Sequence, residues 1–228
     1  MSTTPRHETL PPALLLAAVG GFLDTYTYFT RGGVFANAQT GNMVLLSIAA
    51  AQGQFIRAAY YLIPITAFAL GVLVTETLRS RAGGKEPWRR TVLFLEAAIL
   101  AAVGLLPSSA PDPAVNVTIS FLCSMQVNSF RQLEGAPYAT TMCTGNLRSC
   151  SHQLWCFLFA ADREAGRRAL RYLLVMLVFC LGAALGVPLT ALWGGRSVWL
   201  CSLALLGVWA WLADPRPVKK MDDADASP

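Results

Sequence analysis

This sequence predicts an all-α integral membrane protein of about six transmembrane helices, arranged as two inverted three-helix repeats. Three observations carry that expectation. Of the 228 residues, 54% are apolar and only 14% are charged, whereas soluble domains carry about 25% charged residues. The apolar residues are gathered into long blocks instead of being spread at amphipathic spacing, as spanning segments require. Finally, a polar, glycine-bearing break ahead of a short apolar run occurs twice: Phe35-Ala36-Asn37-Ala38-Gln39-Thr40-Gly41-Asn42, and later Ala139-Thr140-Thr141-Met142-Cys143-Thr144-Gly145-Asn146.

In chain order, a polar N-terminal tail (1–11) precedes a first apolar segment, Pro12 to Tyr28. The run has no small-residue cleavage site after it, so it reads as a retained transmembrane helix; a short signal peptide is the alternative. The second segment, Met43 to Ala51, has nine residues against the roughly 20 that a spanning helix needs. Ala58 to Leu78 and Thr91 to Leu106 complete a first membrane repeat, 12–106. A short outside loop (107–113) leads to the second repeat, 114–212. Its segments are Ala114 to about Phe130, Leu147 to Ala161, Arg171 to Trp193 and Val198 to Leu212. A cytoplasmic polar tail, 213–228, ends the chain.

The halves match in register. The two Thr-Gly-Asn triplets are 104 residues apart, and Asp24 and Asn128 fall at the same spacing. At a spacing of 111, Arg57-Ala58-x-x-Tyr61-Leu62 matches Arg168-Ala169-x-x-Tyr172-Leu173, Phe68-x-Leu70-Gly71 matches Phe179-x-Leu181-Gly182, and Trp88 matches Trp199. Three ordered blocks separated by one seven-residue length change indicate a duplicated unit.

Charge decides how the units are oriented. Were all eight segments to cross, the 18 Lys and Arg would divide nine to nine. If the second and sixth segments enter and leave on one side, only Arg31, Arg57 and Arg196 lie outside, a split of fifteen to three. Cations favour the cytoplasmic side, so the second arrangement is expected, with both termini inside. Three crossings per half make the repeat inverted, each half holding a broken or re-entrant half-helix opened by Thr-Gly-Asn, as in many secondary transporters. The net charge of +5 belongs to these loops, and nucleic acid is not an expected partner.

The half-helix starts are the expected site. First-turn N–H groups lack partners and carry the positive end of the helix dipole, so two such ends brought together would favour a polar or anionic solute. Thr serves there as a helix cap and Gly permits a tight turn or close approach to a ligand. Asn37, Gln39, Thr40, Gly41, Asn42, Thr140, Thr141, Thr144, Gly145 and Asn146 are the candidate solute-binding residues. The same groups capping buried helix ends and joining helices is the structural alternative. Asp24, inside the first segment, its counterpart Asn128, and the second intramembrane carboxylate Glu96 are candidates for a coupling ion or proton. Glu76 is expected to pair with Arg79, and Trp88, Trp199, Tyr60 and Tyr61 to form an interfacial belt. Six cysteines without a C-x-x-C pair, with His7 and His152 far apart, suggest no metal site, and no cofactor motif or catalytic constellation is present.

The stretch Gly21-Phe22-Leu23-Asp24 through Gly32-Gly33-Val34-Phe35 to Thr40-Gly41-Asn42 resembles the opening of the YoaK-type family of bacterial multi-pass membrane proteins, a domain of unknown function. The second Thr-Gly-Asn is similar to that family's second block, and the resemblance covers about 12–212. It implies an inner-membrane protein of about six helices and brings no activity or site residues. From the repeat and the charge pattern, secondary transport of a small polar or anionic solute is the leading expectation. A non-transporting membrane protein binding a ligand or partner subunit through the same groove comes next, and an intramembrane enzyme acting on lipid last. A homodimer would suit so small a chain.

Overall fold

All eight apolar segments form helices: α1 (Leu10–Thr30), α2 (Gln39–Ala51), α3 (Phe55–Arg81), α4 (Pro87–Val103), α5 (Asp112–Ser129), α6 (Cys143–Phe159), α7 (Arg163–Trp193) and α8 (Val198–Ala213). The structure is a computed structural model and describes residues 3–83, 87–214 and 218–219. Lys85, Arg216 and Lys220, counted above among the inner cations, lie outside the described residues. Two stretches, Phe55–Arg81 and Arg163–Ala213, are long and apolar enough to cross a membrane. Large apolar side chains such as Leu73, Leu181 and Leu203 face outward, where lipid rather than water is their natural neighbour. The chain is a helical membrane protein.

The packing interleaves the two halves. α1 runs along α7, and α3 along α5; α2 lies on α3, and α6 on α7; α4 packs on α8. Exchanging the halves maps every one of these pairs onto another, or onto itself in the case of α4 and α8. The contacts close at matched glycines. A Cβ on Gly71 would stand 2.6 Å from the carbonyl oxygen of Phe121 in α5. A Cβ on the corresponding Gly182 would stand 2.1 Å from the carbonyl oxygen of Ala18 in α1. Backbone approaches backbone at both crossings, which only small residues allow.

Contacts at the helix ends define two opposite ends of the bundle. At one, Arg31 follows α1: its carbonyl accepts from the Tyr60 hydroxyl of α3 at 2.7 Å and from Asn116 Nδ2 of α5 at 2.8 Å. Trp199 at the start of α8 donates to Ala101 O in α4 at 3.0 Å there. At the other end, strand β1 (Thr3–Thr4) pairs antiparallel with a strand at Val218–Lys219, and Arg6 meets Asp214 at 3.0 Å. Arg89 Nε in α4 donates to Ser129 O of α5 at 3.0 Å, and Asn128 Nδ2 to Glu76 of α3 at 3.2 Å. Glu76 pairs with Arg79 at 3.8 Å as expected, and also with Arg131.

Three features depart from the expectation. The polar ends are not purely irregular, since the terminal ribbon ties them together. The second break holds a hairpin, β2 (Gln132–Leu133) with β3 (Ala136–Pro137), turned by Glu134 at φ 50° and Gly135 at φ 81°. Two consecutive positive φ values are what a two-residue hairpin turn requires, but Glu-Gly is a weak signal for it. The third concerns the interfacial belt, because Trp88 and Tyr61 are buried among helices.

The seven-residue length change also acquires a location. α6 has 17 residues against 13 in α2, one extra turn. The remaining three lie at the head of α7, where Arg168 is the sixth helical residue and its counterpart Arg57 the third of α3. Substituting Gly182 by Leu is expected to overpack the α1–α7 crossing and cost about 1–3 kcal/mol or more. Gly207→Ala, whose Cβ meets nothing within 4 Å, is the matched control and should leave the melt unchanged or raised. Thermal unfolding of the two variants in detergent checks this.

Candidate functional site

The two Thr-Gly-Asn breaks meet at one point on α1. Gly20 O accepts from Asn37 Nδ2 at 3.1 Å, and a Cβ on Gly20 would lie 2.2 Å from Thr141 Cγ2. Both irregular segments therefore press on the same glycine, midway along α1. From there α2 returns to the Arg31 end, where α3 begins, and α6 to the opposite end, where α7 begins. Each is an incoming loop followed by an outgoing helix.

How the breaks are held differs from the expectation of Thr caps. The caps are Ala38 and Met142, and neither makes a side-chain cap bond. Asn42 reaches back seven residues instead, accepting from Phe35 N at 3.0 Å and donating to Phe35 O at 2.7 Å. Asn146 repeats this on Ala139, accepting from its N at 3.2 Å and donating to its O at 2.6 Å. A carboxamide is the side chain that can donate and accept side by side, so Asn serves as an artificial strand partner for the N–H and C=O of one residue. Both are buried and spent on the backbone. Gln39 Nε2 donates to Ala36 O at 2.9 Å and its oxygen accepts from Asn42 at 2.9 Å.

The glycines of the triplets do not turn the chain. The positive φ values fall at Gly32 and Gly33, 79° and 74°, where the chain reverses after α1. Gly41 lies beneath the Phe35 ring, with its missing Cβ only 3.0 Å from Cδ2. Gly145 faces open space: a Cβ there meets nothing within 4 Å.

That open space is a cavity of about 580 Å³ lined by both halves, within the size range of small-molecule sites. Asp24, Asn37, Gln39, Thr40, Thr141, Thr144 and Gly145 reach it. Phe68 and Phe179, the pair matched at a spacing of 111, contribute one ring from each half. Gly41, Asn42, Thr140, Asn146, Asn128 and Glu96 are not among its lining residues. Thr140 is fully buried behind it with a hydroxyl that has no partner.

Asp24 is 6% exposed, and its Oδ1 accepts from Asn37 N at 2.6 Å. The carboxylate therefore sits against the backbone just ahead of α2, where the helix's positive end would otherwise meet a ligand. Asn128 does not repeat this. α5 stops at Ser129, whereas α1 continues six residues beyond Asp24, so Asn128 lies at the helix end with Glu76 and Arg131. Glu96 does not line the cavity either. It is 1% exposed in α4, takes one bond from Gln126 Nε2 at 3.2 Å, and its Oε2 has no partner.

The cavity also differs in sign from one built of helix ends alone. Its lining includes one carboxylate and no Lys, Arg or His, so the side chains do not favour an anion. Among the described residues no three His, Cys, Asp or Glu side chains come together to hold a metal ion. All six cysteines are free thiols.

Comparison with known proteins places this architecture. Residues 12–211, both halves and both breaks, match the family described as "Protein of unknown function (DUF1275)". The chain belongs to that family. It is similar to "UPF0700 transmembrane protein YoaK" of Bacillus subtilis (strain 168), 26% identical over 191 residues, which cover 80% of this chain and 84% of that one. No solved structure matches the chain.

Removing either carboxamide leaves the part-buried N–H and C=O of one residue unpaired, at up to about 1–3 kcal/mol for each orphaned group. Asn42→Leu and Asn146→Leu should each lower the melting temperature, with faster hydrogen exchange at Phe35 or at Ala139 respectively. Exchange mapped by mass spectrometry would show whether each loosening stays confined to its own loop.

Proposed function

We propose that the protein is a secondary transporter of a small polar solute, with six crossings in two inverted three-helix halves. The observation that carries this reading is the convergence of two polar chain breaks, approaching from opposite ends of the bundle, on one cavity beside Gly20. Irregular backbone at depth is tolerated in a membrane where it lines a cavity, and paired discontinuous helices there characterise solute sites.

Further support comes from the helix ends. α1, α3, α4, α5, α7 and α8 each connect the two ends of the bundle, while α2 and α6 begin and finish within one half of its depth. The end bearing Arg6, Arg79, Arg89 and Arg131 is then cytoplasmic, in an inner membrane, with both termini there. The Arg31 end is outside, and Arg31 itself is buried against Asp112 at 3.4 Å. Alternating access would take the form of the α1–α7 pair, carrying α6, moving against the α3–α5 pair, carrying α2. Phe68 and Phe179 would then part on one side of the cavity while the breaks open the other. Asp24 is the group at which a proton or cation would couple to that motion.

A ligand-binding protein without transport is the competing reading. It is favoured by the fact that Asp24, Asn42 and Asn146 all hold backbone, as a scaffold would.

Two measurements separate these readings. Single cysteines at Gln54 and Pro111 on a cysteine-free background should label from outside, and one at Ser80 should be protected; the reverse pattern would end the inverted arrangement. In proteoliposomes screened with radiolabelled polar solutes, Gly145→Leu should fill the cavity without a steric conflict. Uptake should fall at least tenfold for that variant and for Asp24→Asn, with normal protein levels in the membrane. Unchanged uptake in both variants would remove the cavity from the transport path.

A further inference from the structure

Two residues that line the cavity, Asn37 and Thr141, each hold a buried side-chain oxygen without a partner in the protein. Asn37 Nδ2 is engaged by Gly20 O, while Asn37 Oδ1 is buried without a partner. The Thr141 hydroxyl, on the same glycine from the other loop, is also buried without one. Asp24 lies beside them through the Asn37 amide. Asp24, Asn37 and Thr141, from α1 and from both breaks, thus line one cavity, with a single formal negative charge and no cationic side chain in the lining. Around them stand aromatic rings: Phe68 and Phe179, with Phe35 stacked on Tyr28 at 4.8 Å between centroids.

An orphaned buried acceptor costs free energy until a donor reaches it, and a carboxylate at depth needs a compensating charge. A group with several N–H donors and a positive charge meets both demands. An ammonium head carries three donors and no acceptor, and ring faces attract cations and cover a hydrocarbon body. A volume of about 580 Å³ leaves room for that body.

We propose that the cavity binds a primary alkylammonium ion, its head held by Asp24, Asn37 and Thr141 and its carbon chain covered by the rings of Phe68, Phe179 and Phe35. This rests on the reading of the cavity as the solute site and names the class of solute.

The test uses the full chain, purified into nanodiscs, with three probes of equal chain length: n-butylammonium, butyrate and 1-butanol. Titration calorimetry should give a Kd for n-butylammonium at least tenfold tighter than for either other probe. Asp24→Asn should abolish that preference. Thr141→Val, which removes a hydroxyl that bonds to nothing in the protein, should weaken n-butylammonium binding several-fold while keeping the wild-type melt; it carries the test alone should Asp24→Asn fail to fold. Equal binding of butyrate, no binding of the ammonium probe, or an unchanged Kd in Thr141→Val would overturn the proposal. Binding without uptake into proteoliposomes would overturn transport and leave the ammonium site standing. Uptake of another solute with no ammonium binding would do the opposite.

Discussion

A polypeptide that leaves helical geometry inside a bilayer must satisfy every freed N–H and C=O from within itself, because lipid offers no partners. The rest of this structure follows from how two short segments meet that demand. Asn42 and Asn146 each pair with both backbone groups of the residue seven back, Asp24 takes the Asn37 amide, and Gly20 O takes the Asn37 side chain. With those bonds made, the chain can enter the protein's middle, turn and leave again as a helix. Without them the breaks would have to run at the surface, and no cavity would form between the halves.

The pseudo-symmetry is close in the backbone and loose in the chemistry. Matched glycines, Gly71 and Gly182, set the same close crossing in both halves, and matched asparagines set the same clamp. The polar group at the Asp24 position is where the halves diverge. In the first half it is a carboxylate turned toward the break; in the second it is Asn128, drawn into an ion-pair cluster with Glu76 and Arg131 because α5 ends one turn too soon. Of the two matched frames, one carries the charge. A cavity with a single carboxylate on one wall has a direction, as a site that orients a polar molecule must.

Much of this was legible in the residues. Long apolar blocks gave all eight helices, and the repeated Thr-Gly-Asn located the starts of α2 and α6, since a helix must begin somewhere and polar groups with Gly mark where. The seven-residue offset was visible as well, though its division into one extra turn of α6 and three residues of α7 needed coordinates. Individual roles within the breaks were harder to read. Thr looked like the cap because Thr commonly caps, yet Asn42 and Asn146 do the holding from within the helix, a bond across seven residues that no local propensity encodes. The turn glycines proved to be Gly32 and Gly33, whereas Gly145 is an opening. The sign of the cavity was also hidden, because helix-end dipoles can be inferred from sequence but the set of side chains that line a space cannot. Trp88 and Tyr61 carried the composition of an interfacial belt and pack inside, since neighbouring helices covered them.

The interleaving of the halves has a consequence for how the protein is made. α1 lies along α7 and α3 along α5, so neither half buries its own glycine crossings. As the chain emerges from the ribosome, Asn37 can reach Gly20 early, but the Gly21 face of α1 has no partner until Phe179 of α7 has followed. Such non-local pairing is slow to establish and leaves partly built species exposed to wrong partners. A chain stopped before α7 leaves the Gly21 face of α1 without its packing partner. The ribbon of Thr3–Thr4 with Val218–Lys219 is a further pairing across nearly the whole described chain.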